Sequence, residues 1–141
     1  MYSYGRKSQE RFDQCHPLLQ VILSKVITMV DHSITCAYRG EAEQMAAYNA
    51  VPKLSHAKFG ESAHNFTPSM AVDIVPWPID WEDMERFGYL AGLMKGVALE
   101  MEIPLTWGND WNNNGVLVRN DPKERLIDAP HFELRNWKEL I

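Results

Sequence analysis

The apolar positions of this chain follow two rhythms. Between Pro17 and Val30 they recur at Leu18, Leu19, Ile22, Val26, Met29 and Val30, close to the period of a helix with one buried stripe, and Pro17 suits a first helical position. From Met84 to Met101 the same rhythm runs longer, through Phe87, Leu90, Ala91, Met94, Val97 and Ala98, with Asp80 placed to cap its start. A shorter helix is predicted over "GEAEQMAAYNA", which carries acids in its first turn and stops before Pro52. Elsewhere the period falls to two. "SITCAY", "MAVDIV", "PLTWG", "VLV" and "PHFEL" read as short strands, with Asn114-Gly115 a hairpin turn signal. Helices and strands are segregated and no strand is long, so the expected fold class is α+β: a small, mainly antiparallel sheet flanked by helices.

Val51 to Ser69 has neither rhythm. It holds two prolines, a glycine and many polar residues, which describes a surface loop able to carry function. No repeat or linker divides the chain, and 141 residues suffice for one core, so residues 1–141 are expected to form a single domain. Residues 1–14 are polar enough to form a loosely attached N-terminal segment.

Strand alternation raises the first chemical question. If Val72 and Ile74 face the core, Asp73 faces the other way, because successive side chains point to opposite sides. "PHFEL" repeats the arrangement: Phe132 and Leu134 turn inward while His131 and Glu133 share the opposite face. His64 stands in the loop before the first of these strands. Two imidazoles and one carboxylate, with a fourth position left for water, are the usual ligand set of a catalytic zinc site, and the metal would neutralise Asp73. Asp128 precedes His131 by three residues and lies on the loop entering that strand, within reach of a bound water as general base. The same residues also fit a structural reading, in which His64 bonds solvent, Asp73 accepts backbone hydrogen bonds in a turn and His131 caps a strand edge. Spacing alone leaves both open.

Charge and composition narrow the partners. A net charge of −5 with scattered Lys and Arg argues against nucleic-acid binding. The longest apolar run, "PLLQVILSKVITMV", is interrupted by Gln20, Ser24 and Lys25 and is shorter than the roughly 20 residues a span needs, so no membrane insertion is expected. The two cysteines form no C-x-x-C pair and the first residues do not resemble a signal peptide, which points to a reduced, cytosolic product.

Three separated motifs then carry a resemblance. "SAHNFTPSMAVDIVP", followed downstream by "TWGNDW" and "DAPHFEL", is similar to the zinc peptidases of the D-alanyl-D-alanine carboxypeptidase family, and most to its branch of phage and bacterial L-alanyl-D-glutamate endopeptidases. The likeness runs from "CHPLLQVI" to the C-terminus and includes "YRGEAEQ". It implies that His64, Asp73 and His131 bind Zn2+, that Asp128 is the catalytic carboxylate and that Arg39 lies at the site, where its charge would hold a carbonyl or oxyanion. The expected role is a phage endolysin acting as a monomer on the bacterial peptidoglycan stem peptide; with no export signal read in the first residues, it is expected in the host cytoplasm and to reach the wall with a holin-like factor. A carboxypeptidase or dipeptidase of the same family, and a non-catalytic zinc-stabilised wall-binding module, are the alternatives. Thr67 stands where relatives often carry glycine, a departure that bears on substrate fit.

Lesser candidates accompany these. Glu133 is placed to orient a ligand or to be a solvated strand-end acid, and Ser62 is read as a turn former. Trp107 and Trp111 are expected mainly to pack, Gln44 to support the site, and His56 is the rival of His64 as loop ligand.

Overall fold

The computed structural model describes Met1–Ile141. Its helices are α1 (Arg6–Gln14), α2 (Pro17–Val26), α3 (Glu41–Asn49), α4 (Met84–Glu100) and α5 (Trp137–Leu140); its strands are β1 (His32–Cys36), β2 (Ala71–Pro76), β3 (Leu105–Trp107) and β4 (His131–Leu134). The strands form one sheet in the order β1-β2-β4-β3, antiparallel throughout. This is the expected α+β class.

Period-two alternation sets the core. Val72, Ile74, Phe132, Leu134 and Leu105 are buried with the α2 stripe of Leu19, Ile22, Leu23 and Val26 and the α4 stripe of Leu90, Ala91, Met94 and Ala98. Burying each of these side chains larger than alanine stabilises the fold by about 1.5–3 kcal/mol. On α2, His16 caps the start by accepting from the Leu18 amide at 3.1 Å, and the helix ends at Val26, four residues before the apolar run does. Asp83, not Asp80, caps α4: it accepts from the Arg86 amide at 3.3 Å, while Asp80 accepts from the Glu82 amide in the preceding turn.

Residues 1–14 are tied down. Within α1, Ser8 Oγ accepts from the Ile34 amide at 3.0 Å and Arg11 donates to the Ile34 carbonyl at 2.8 Å. Both main-chain groups belong to the edge strand β1, so side chains of α1 finish the ladder that no further strand completes. Tyr4 adds a hydrogen bond to His32 at 2.6 Å. His32 is the first residue of β1.

The "NDWNNNGVLV" region is not a hairpin. Asn113 and Gly115 take left-handed backbone conformations, and the expected strand at "VLV" is replaced by a 3-10 turn over Val118–Asn120. Asp110 accepts from the Asn114 and Gly115 amides, and Asn112 and Asn114 both donate to Asp121 Oδ2 at 2.9 Å. Side-chain oxygens and amides close this loop in place of a strand ladder.

Candidate metal centre

Antiparallel register places the key pair. Asp73 and His131 are direct Cα partners across β2 and β4, and Cys36 pairs with Asp73 across β1 and β2 at a bulge. Facing side chains at such positions meet. The third donor arrives from the loop. Ser62 caps a 3-10 turn over Ala63–Asn65, accepting from the His64 amide at 3.2 Å, and the turn delivers His64 to the same face.

His64 Nε2, His131 Nδ1 and Asp73 Oδ1 stand at the corners of a small triangle, with edges of 3.2, 3.1 and 3.1 Å. Tetrahedral zinc ligands at about 2.0–2.1 Å from the ion lie roughly 3.3 Å from one another, so the triangle has the size of one face of such a shell. Tautomers fit as well. His64 Nδ1 is 2.6 Å from the Ala37 carbonyl, which only accepts, so Nδ1 carries the proton and Nε2 offers a lone pair. His131 Nε2 is 2.7 Å from Glu133 Oε1, which leaves His131 Nδ1 as its free donor atom. Two lone pairs and a carboxylate thus converge in a buried place, a donor set suited to a cation.

The charges show the same demand. Burial opposes charge on all three groups. Without a bound ion, the Asp73 carboxylate and its hydrogen bond nevertheless push His64 up to about 10. Hydrogen bonds to Asp73 and Glu133 push His131 up to about 9. The two imidazoles in turn hold Asp73 well below the usual carboxylate range.

Cys36, His64 and Asp73 also form a group able to hold a metal, with donor atoms within 4.8 Å of one another. The histidine triangle is the tighter of the two sets. Cys36 Sγ lies 3.8 Å from His64 Nδ1, the nitrogen already donating to Ala37, and 3.6 Å from the Arg39 guanidinium. For the same reason His64 Nδ1 cannot take a proton from Cys36, so the thiol is not an activated nucleophile.

Supporting residues extend outward. Glu133 accepts from His131 through one oxygen and from Trp137 Nε1 through the other, at 2.9 Å, which fixes the orientation of the imidazole. Glu133→Ala is expected to weaken metal binding by about 10- to 100-fold, measured by competition with a chromogenic chelator; unchanged affinity would assign Glu133 to surface solvation. Arg39 lies 3.7 Å from Asp73 Oδ2 and donates to Gln44 Oε1 at 3.3 Å. Gln44 is completely buried and donates to Ser55 and the Ala57 carbonyl, so it ties the Arg39 segment to the loop. Asn65, which the sequence reading missed, donates to Gln44 and to the Arg39 carbonyl and accepts from the Gly60 and Ser62 amides. The Ser62–Asn65 spacing, that of a capping box, was its only signal.

Asp128 stands beside the triangle, its Oδ2 4.0 Å from His131 Nδ1 and its side chain 44% exposed. Burial, with a smaller push from the Asp73 charge and against the pull of His131, raises its pKa above the ordinary aspartate value. Its main chain is clamped: the amide donates to the Gly108 carbonyl at 2.7 Å and the carbonyl accepts from His131 at 3.0 Å. Gly108 permits this approach, since a Cβ there would lie 2.1 Å from the Asp128 carbonyl oxygen. Gly108→Ala should therefore displace Asp128 and lower turnover by about 10²-fold while metal content is kept; full turnover in that variant would show that the clamp is dispensable.

The site opens into a cleft of about 730 Å³ lined by all five of these residues, Arg39, His64, Asp73, Asp128 and His131. Trp111 forms part of the wall, its ring 5.3 Å from that of His131, whereas Trp107 is buried against Phe132 as expected of a packing residue. His56 lines the cleft but stays exposed and outside the triangle. Thr67 is exposed and lies outside the cleft lining.

An open donor triangle with a carboxylate of raised pKa beside it, and no side-chain nucleophile with a base behind it, equips this fold for metal-assisted hydrolysis. Comparison with known proteins narrows that class. The model of the phage L-alanyl-D-glutamate peptidase family matches residues 1–135, and the chain belongs to that family of enzymes. It is 24% identical over 136 residues to the L-alanyl-D-glutamate peptidase of Escherichia phage T5, an alignment covering 94% of this chain and 98% of the relative. The crystal structure of the Serratia marcescens L-Ala D-Glu endopeptidase ChiX shares the fold, with a TM-score of 0.72 at 22% identity over 99% of this chain and 94% of that one.

Proposed function

We propose that the chain is a zinc-dependent peptidoglycan endopeptidase that hydrolyses the L-alanyl-D-glutamate bond of the stem peptide and acts as a monomeric phage endolysin. Family membership supports the reaction, and the single observation carrying the mechanism is the triangle of His64 Nε2, Asp73 Oδ1 and His131 Nδ1. These three atoms would hold zinc, which supplies a Lewis acid and lowers the pKa of water toward about 7. Asp128 takes a proton from the attacking water and delivers it to the departing amine of D-glutamate, a role its place beside the triangle allows. Arg39, held by Gln44 and set 3.7 Å from Asp73, meets the negative charge that grows on the scissile carbonyl oxygen. Glu133 and the Ala37 carbonyl keep the two imidazoles in the tautomers the site requires. No covalent adduct with the protein is formed.

No helix is long and apolar enough to cross a membrane. Synthesis in the host cytoplasm with passage to the wall through a holin-like factor is part of the same proposal. Digestion of purified peptidoglycan tests the reaction: mass analysis should show stem peptides beginning at D-glutamate. Release of terminal D-alanine alone would replace this reading with a carboxypeptidase, and binding without any product would replace it with a wall-binding module.

A further inference from the structure

Substrate charge is the starting point, and the inference rests on the function proposed above. Glutamate has two carboxyl groups; whichever continues the peptide, the other remains free unless amidated. The residue whose amine is released therefore carries a negative charge within a few bonds of the reacting carbonyl. Asp128 and Glu61 line the cleft beyond the metal triangle and the chain carries a net charge of −5, so a substrate carboxylate lying away from the ion is repelled unless a nearby cation receives it.

Three lysine and arginine side chains line the cleft: Arg39, Lys53 and Lys138. Two are committed. Arg39 is held by Gln44 and faces Asp73. Lys53 donates to the Tyr48 carbonyl at 2.6 Å and its ammonium sits 3.4 Å above the centre of the Tyr48 ring. Lys138 forms no ion pair, and its ammonium lies 5.5 Å from the ring centre of the neighbouring Trp137. That ring is anchored, because Trp137 is buried and its Nε1 donates to Glu133, the acid that orients His131. The free ammonium is thus mounted one residue from a side chain coupled to the metal triangle. Its flexible stem lets it follow a substrate carboxylate.

We propose that Lys138 is a specificity-determining residue that pairs with the free carboxylate of the D-glutamate at the scissile bond and selects stem peptides carrying that charge over those in which it is amidated.

The test uses two muropeptides differing only at this group, one with D-glutamate and one with D-isoglutamine, cleaved by zinc-loaded enzyme. Wild-type enzyme should prefer the acid in kcat/KM. Lys138→Ala and Lys138→Gln should lower kcat/KM for the acid by roughly tenfold or more, the usual scale for a hydrogen bond to a charged group. The loss should fall mainly in KM, with the amide unaffected. Lys138→Arg should keep most of the preference, and added salt should raise KM for the acid in wild type but not in Lys138→Ala. Equal losses on both substrates, no loss on either, or disappearance of the preference in Lys53→Ala instead would overturn the assignment. If wild-type enzyme cuts neither substrate between L-alanine and D-glutamate, the parent reading itself fails, which is a separate result from a Lys138 variant without selectivity.

Discussion

Asp73→Ala is expected to lose metal and hydrolysis together: less than about a tenth of an equivalent of bound zinc after dialysis, and cleavage at background. Asp73 is the one side chain that contacts both imidazoles, and its charge holds the whole cluster together. Removing one partner from a buried charged cluster costs about 3–5 kcal/mol, so Asp73→Asn, of the same shape, is the companion variant that separates loss of charge from loss of packing. The pH dependence supplies a further check. In chelator-treated wild-type protein the folded-state pKa values of His64 and His131 are pushed up to about 10 and about 9. Their stabilising effect is complete below the unfolded value of about 6.5 and is lost as pH rises through the raised values. Asp73 is depressed, so its effect is present above the unfolded carboxylate value near 4 and lost as pH falls. Chelated wild-type protein should melt at its highest temperature between about pH 4 and 6.5 and at progressively lower ones toward pH 10. Asp73→Asn should flatten the alkaline decline. An unchanged alkaline decline in Asp73→Asn, or full zinc in either variant, would remove Asp73 from the centre.

Why this centre was legible in sequence, and its surroundings less so, follows from the kind of force each depends on. A period of two tells which face a side chain takes, and antiparallel pairing of two such strands was enough to bring Asp73 opposite His131. The helices α2 and α4 are held by apolar stripes, which leave a periodic trace. By contrast α1 docks through Ser8 and Arg11 onto one peptide unit of β1, and polar pairing has no period to read. The cap of α4 fell to Asp83 because two acids three residues apart both had the right chemistry and only the turn geometry chose. Gly108 ends the expected strand "PLTWG" and carries no local signal; its importance is steric, set by a segment twenty residues later in the chain that passes within touching distance. The Gln44–Asn65–Arg39 network joins three segments whose contacts depend on a loop path that local pattern does not encode.

The second large effect belongs to Asp128. Asp128→Ala should lower kcat by about 10²- to 10⁴-fold, the scale of a general acid–base group, equivalent to about 3–5 kcal/mol on the barrier. Zinc affinity and melting temperature should stay near wild type. The structural reason is that Asp128 is positioned by its main chain, through Gly108 and His131, while its carboxylate stands 4.0 Å from the nearest donor atom of the triangle. Deleting the side chain therefore removes a proton carrier without opening the donor set. Protonation of the wild-type carboxyl should appear as the acid limb of the kcat/KM profile, and that limb should vanish in the variant. Asp128→Glu tests position against charge: it keeps the carboxylate but lengthens the reach, so partial activity with a retained acid limb is expected. Loss of zinc in Asp128→Ala would instead make this aspartate a ligand. Residual activity within tenfold of wild type, with zinc intact, would mean that the proton travels through another group, and Glu133, already bonded through both oxygens, is not free to take that role.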